Sequence, residues 1–325
     1  MMNRIASCRK QGKPLVIQWI ALWLMVMGTW CAMSEPQARE RLVVASATNA
    51  PLMRVAANAL CRLTASEEDF SCRSLAAVDA TDAIDLLRHG KVHFAIVSSR
   101  DALRAWTGAA PFNGKVEGLR LVFRLHPEAV VLVGRKDAAI GQLKDIFEKR
   151  VNIGPAGSEI EQWVLDLMVA CQVWPSDLLE IRREDLAAMP GALHEGRIDA
   201  FFVMGGHPAR VIGPMGKQSS IDLVPLNDPC IDGLIKNHPS VRKMVIEGKT
   251  YPGIIRDVPT FGTDALLLTH AEVSPKLVGL FAEFLLRNID DFRQRHSAFA
   301  PIDRKTLRLR FPIPHHRGMK GLVDP

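Results

Sequence analysis

The order of apolar runs predicts a mixed α/β chain that opens with a βαβαβ unit on a parallel sheet. Extended apolar runs alternate with helical patterns, turn and capping residues stand at the joints, and the bulk composition is that of a globular protein. The 325 residues are 48% hydrophobic and 23% charged, enough to bury a substantial core and of a length that favours about two domains.

From Arg41 the first β run is Leu42 to Ser46, after which Thr48 or Asn49 offers an N-cap with Pro51 in the first turn of a helix reaching about Leu63. Arg73 to Val78 reads as the next strand, Asp79 or Thr81 as the next cap, and Ala83 to Arg88 as a helix closed by Gly90. Val92 to Val97 completes a βαβαβ unit. After a turn-rich loop, Thr107 to Gly114, come two apolar segments, Leu119 to Leu125 and Ala129 to Gly134. Ile140 to Phe147 is helical in pattern, and Arg150 to Ile153 is a strand. Ser158 with Glu161 three residues on makes a capping box for a helix to about Cys171. Ile198 to Met204 is a buried strand ending at Gly205-Gly206, Pro259 to Thr269 is extended, and Ser274 to Asn288 is an amphipathic helix.

The N-terminus has the order of a secretory signal peptide: a basic stretch from Arg4 to Lys13, an apolar run from Leu15 to Gly28, then Ala32 and Ser34 before Glu35. Residues 1–34 are therefore expected to direct export to the periplasm, with an uncleaved membrane anchor as the alternative. The formal charge of +6 belongs mostly to this leader. Without Arg4, Arg9, Lys10 and Lys13 the remaining 37 basic and 35 acidic residues nearly balance, and no Lys/Arg run follows, which argues against a nucleic-acid partner.

Four cysteines follow the leader: Cys61, Cys72, Cys171 and Cys230. Cys61 and Cys72 flank a short polar link, so a local bridge is the favoured pairing, contributing about 3 kcal/mol by chain entropy. Cys171 and Cys230 either form a second bridge or stay as buried thiols. Neither catalytic nor metal-site motifs occur: there is no G-x-S-x-G, H-E-x-x-H, C-x-x-C, Walker loop or G-x-G-x-x-G. No catalytic residue, metal or cofactor is expected. The pair His315-His316 lacks ligand spacing and reads as solvent-facing.

Several segments together carry a resemblance. Ile153-Gly154-Pro155-Ala156-Gly157-Ser158 is similar to an I-G-x-P-G-S-G loop, and Ile198-Asp199-Ala200-Phe201 followed by Gly206-His207-Pro208 is similar to an I-D-A-F segment and its G-H-P. Gly108 to Gly114, Leu125-His126-Pro127-Glu128, and Tyr251-Pro252-Gly253 with Asp257-Val258-Pro259-Thr260 match in the same order. The chain thus resembles the TAXI family, the solute-binding subunits of tripartite ATP-independent periplasmic (TRAP) transporters, over nearly all of Leu42 to Pro314. Cys61 and Cys72 resemble the cysteine pair of one subgroup.

The resemblance implies a two-lobed periplasmic-binding-protein fold of type II with two hinge-crossing strands. Lobe one comprises residues 41–132 plus 262–325, lobe two residues 133–261, and no enzyme activity is expected. It also implies that a small organic anion, such as an amino acid or dicarboxylate, is captured for a TRAP-type membrane permease; the alternative is a periplasmic sensor or accessory module with the same fold. The ligand is expected at Thr48, Asn49, Arg54, Asp79, Ser98, Ser99, Gly157, Ser158 and Gly205.

Departures fall at those loops. The family's Gly-rich first loop and paired tyrosines are replaced between Ala45 and Val55, and Asp79 and Glu159 stand where glycines are usual. Negative charge there opposes an anionic solute at a helix N-terminus unless it caps its own helix. Ser158 is first a cap, Arg54 reads more readily as an outward helix residue, and Trp163 as a core aromatic.

Overall fold

The computed structural model describes residues 40–68, 70–217 and 220–323, so the signal-peptide expectation lies outside the described residues. Residues Arg41–Pro325 form one compact unit. The mixed α/β class expected from the sequence is the one observed.

The chain begins with β1 (Glu40–Ala47), α1 (Pro51–Leu63), β2 (Phe70–Ala77), α2 (Ala80–Arg88), β3 (Phe94–Ser98) and α3 (Ser99–Thr107). A long strand β4 (Leu119–Arg135) leads to β5 (Arg150–Asn152), α4 (Glu159–Ala170), β6 (Glu180–Arg182), α5 (Met189–His194), β7 (Ala200–Gly205) and α6 (Ile212–Lys217). Then come β8 (Ile221–Val224), α7 (Pro229–Asn237), β9 (Arg242–Ile246), β10 (Val258–His270), α8 (Pro275–Arg287), α9 (Ile289–Gln294) and α10 (Arg304–Leu307). All ten strands join one sheet in the order β2-β1-β3-β10-β4-β7-β5-β6, with β8 beside β4 and β9 beside β10.

The two apolar segments expected at Leu119 to Gly134 are one continuous strand. Its polar middle, His126-Pro127-Glu128, stays within the strand because β10 pairs with it on one edge, Thr263 opposite Glu128 and Asp264 opposite Pro127. A register shift follows Asp264, and Pro127, which has no N–H to give to a ladder, sits beside that irregularity. The other departure is Ile140 to Phe147, where only a 3₁₀ turn at Leu143–Ile146 forms.

Along β4 and β10 the partners of the apolar residues change at this polar middle. Val122, Phe123, Leu125, Ala265 and Leu267 pack under α1 and α8, and Leu121, Leu266 and Leu268 pack under α2 and α3. Beyond it, Val130, Leu132 and Phe261 join the core of α4 and α7, and Val131, Val133 and Val258 the core beneath α5. Burial on both faces explains why these strands read as apolar runs with no clean alternation.

Both cysteine pairs are bridged: Cys61 to Cys72, with Cα atoms 4.7 Å apart, and Cys171 to Cys230, 5.0 Å apart. The first staples α1 to β2 and the second α4 to α7. The tail corrects one expectation. His316 is not solvent-facing but buried, its backbone N–H donating to Leu121 O and its ring Nδ1 accepting from Gly318 N–H, because the chain after α10 lies alongside β4.

Candidate functional site

Apart from Arg54, which is on a helix, the expected ligand residues lie at or shortly after the ends of strands. Thr48 and Asn49 are exposed after β1, but neither caps α1, whose N-cap position is Ala50; the Thr48 hydroxyl donates instead to Val78 O (2.9 Å). Arg54 is exposed on the first turns of α1. Asp79 is exposed and caps α2, its carboxylate accepting from Asp82 N–H (2.8 Å), which answers its negative charge locally.

Ser98 and Ser99 are buried. Ser98 caps α3, accepting from Asp101 N–H and donating to the Asp101 carboxylate. Ser99 does something else: its hydroxyl donates to Ser240 O (2.7 Å) and accepts from Asp264 N–H (3.2 Å), tying α3 to the stretch before β9 and to β10. Gly157 and Gly205 have φ of 75° and 156°, backbone that favours glycine. Ser158 caps α4 by accepting from Glu161 N–H (3.3 Å). The reciprocal half of the expected capping box is absent, since the Glu161 carboxylate takes Gly157 N–H (2.6 Å) and Arg183 Nε (2.5 Å).

What the structure brings together is the start of α3 and the start of α4. Arg100 donates to Asp166 (2.6 Å) and lies 3.9 Å from the centre of the Trp163 ring, and Arg104 donates to Gln162 (2.9 Å). Trp163 is fully buried, packed edge-on against Phe261 and His238, so it serves the core and also seats Arg100 by a cation–π contact. Elsewhere Gly206, after β7, lies so close to Leu52 and Ala298 that a Cβ would stand 2.4 Å from the leucine Cδ2. Contacts therefore reach across β4 and β10 on both sides.

Residues not among the expected ligand set define the floor. Glu128, 7% exposed, is pushed up to about 8 by burial and by the nearby carboxylates of Glu159, Asp264 and Asp101. Glu159 is raised by burial and by Asp101, while its carboxylate accepts from Trp163 Nε1–H (3.4 Å). Asp101 is raised by burial. Asp264 is the contrary case: burial works against its ionisation, but Arg242 and Arg124 hold it below the usual carboxylate range. His126 stacks on Phe299 and is lowered to about 4 by burial. The sequence signal for Glu128 was its place in the Leu125-His126-Pro127-Glu128 segment.

On the other flank of the same strands a cavity of about 550 Å³ is lined by residues that include Arg124, Pro127, Ala129, His207, Arg242, Asp264, Ser297, Ala300 and Leu309. His207 there is lowered to about 4 by burial, and Tyr251 binds both its ring Nδ1 (2.5 Å) and Ala209 N–H (2.6 Å). No group of His, Cys, Asp and Glu with metal-holding geometry occurs among the described residues, and no helix among them is long and apolar enough to cross a membrane.

Residues 51–320, most of the chain, match the NMT1-like family. The chain belongs to the NMT1-like family. This NMT1-like chain is also similar in structure to the periplasmic aliphatic sulphonate binding protein SsuA from Escherichia coli, at 14% identity and a TM-score of 0.49, over 81% of this chain and 78% of that one. It is similar as well to substrate binding domain 2 of Lactococcus lactis GlnP in its open conformation, at 14% identity and a TM-score of 0.46, over 82% and 97%.

Proposed function

We propose that this NMT1-like chain is a non-catalytic solute receptor of the TAXI type, exported to the periplasm. In this reading it captures a small organic anion, such as an amino acid or dicarboxylate, and delivers it to a TRAP-type permease. Residues 41–132 with 262–325 form one lobe, residues 133–261 the other, and β4 and β10 are the hinge. The observation that carries the reading is the meeting of α3 and α4 over the polar middle of those strands. Arg100 of one lobe is seated on Trp163 and Asp166 of the other, an arrangement that closes over whatever is held beneath it. In this reading Ser98, Gly157, Ser158 and Gly205 contribute helix starts and glycine backbone to the ligand site, and Thr48, Asn49, Arg54 and Asp79 contribute its outer rim.

Closure makes affinity depend on contacts formed in the closed form and missing in the open one. The mature protein is to be tested by thermal denaturation against amino acids and dicarboxylates. A ligand at 100 times its dissociation constant raises stability by about 2.7 kcal/mol. Absence of any shift across both panels rejects the receptor reading.

A further inference from the structure

Thr263 and Glu128, opposite each other across the antiparallel ladder, leave the sheet on one face, so Asp264, the next residue of β10, points to the other. The cavity of about 550 Å³ lies on that second face, with Arg124, Arg242 and Asp264 in its wall. Its volume is within the range of about 300–1,000 Å³ usual for small-molecule sites. Three stretches of chain build it: the middle of β4, the segment from Arg242 to Thr250, and the segment from Ser297 to Leu309.

Two donors in this wall have no acceptor. Arg124 gives Nη2 to Asp264 and Nη1 to Arg310 O (3.2 Å), but its Nε is sealed from solvent and bonds to nothing among the described residues. The second donor is on His207. Tyr251 Oη accepts from Ala209 N–H (2.6 Å) and directs its own proton to His207 Nδ1 (2.5 Å), while burial keeps the ring neutral, lowered to about 4. The ring hydrogen therefore sits on Nε2. The Ala129 carbonyl is near the ring, yet the sealed Nε2 meets hydrogen-bond geometry with no atom of the described residues. Buried donors of this kind cost free energy until an acceptor reaches them. Charge agrees with that need, since two guanidinium groups face one buried carboxylate, Asp264, and Glu247 is exposed. Much of the remaining wall is apolar, with Leu125, Pro127, Ala129, Met244, Ile246 and Leu309.

We propose that this cavity is a second ligand site, separate from the solute cleft, for a monocarboxylic acid with an apolar body. Its carboxylate takes the N–H groups of Arg124 Nε and His207 Nε2, and its single charge matches the one cation in excess. The apolar body lies against Met244, Ile246 and Leu309. The site goes beyond the receptor reading and does not depend on it.

The test is calorimetric titration of the mature protein at neutral pH with butanoate, hexanoate and octanoate, and with octanol and octylamine. Burial against the apolar wall tightens binding about 4-fold for each added methylene. Charge-assisted hydrogen bonds make octanoate about 10- to 100-fold tighter than octanol, and octylamine, which brings no acceptor, binds more weakly than either. His207→Phe keeps a ring and deletes the donor, lowering octanoate affinity about 10-fold. Leu309→Trp, at a partly exposed wall position, narrows the space without touching either donor and also weakens binding. Thermal melts establish that both variants are folded. Excess glutamate or succinate leaves octanoate binding unchanged. Silence of octanoate, equal binding of octanol, a flat response to chain length, or full affinity in either folded variant overturns the second site. Displacement of octanoate by glutamate or succinate also overturns it, by placing the acid in the solute cleft, whereas failure of glutamate and succinate to bind bears on the receptor reading alone.

Discussion

Two buried acids on neighbouring strands, Asp264 on β10 and Glu128 on β4, meet opposite fates. Asp264 is 4% exposed and is gripped by Arg242 and Arg124, with its backbone N–H given to Ser99. Glu128 is 7% exposed and has no such partner. The pairing of Asp264 joins three separate stretches of chain: β4 through Arg124, β9 through Arg242 and α3 through Ser99. A satisfied acid of this kind is a fastening. An acid at a similar depth without an arginine partner makes no comparable fastening.

Asp264→Asn is the change with the largest expected effect. It leaves Arg124, mostly buried, without its counter-charge, and should lower unfolding free energy by about 3 kcal/mol, measured by urea denaturation. A loss as small as that of a surface substitution would dissolve the contrast. Ser99→Ala comes next: Ser240 O and Asp264 N–H lose the hydroxyl that joins them, at about 2 kcal/mol in the same assay.

The third prediction is one of pH. Glu128 keeps its proton in the folded state up to about 8 but releases it near 4.5 when unfolded, so its contribution is full at low pH and declines as pH rises between those values. His126 and His207 act in the opposite sense. Held near 4 against an ordinary 6.5, they contribute above 6.5 and lose that contribution as pH falls toward 4. Above pH 6.5 their slope is spent, and Glu128, together with Glu159, which is raised to about 7, makes stability fall as pH rises from 6.5 to 8; Glu128→Gln should reduce that fall by about 1 kcal/mol. An unchanged slope in the variant would remove Glu128 from the account. The smallest effect belongs to Thr263→Val, which deletes a hydroxyl that bonds to nothing in the protein; stability should change by only about 0.5 kcal/mol, in either direction. A loss of several times that would reveal a bond at Oγ1.

How far the sequence led can be judged at single residues. Ser158, Asp79 and Trp163 are readable because cap and core positions are local matters of spacing, decided within one helical turn. The alternation of β1, α1, β2, α2 and β3 is readable for the same reason. The continuity of β4 is not, since His126-Pro127-Glu128 looks like a break until β10, far along the chain, is laid beside it. The isolation of Glu128 is hidden too: whether an acid is paired depends on which arginines arrive from β9 and β4, and both go to Asp264. Thr48 misleads in a smaller way, its hydroxyl preferring Val78 O to the helix it precedes.

The sheet order has one more consequence, for the making of the protein. β3 gains its second neighbour only when β10 is in place, and β10 spans Val258–His270. Until the ribosome has passed that point, the amino-terminal strands expose an unfinished edge and cannot reach their native state. The sheet is thus completed only late in synthesis, by a strand drawn from the last quarter of the chain.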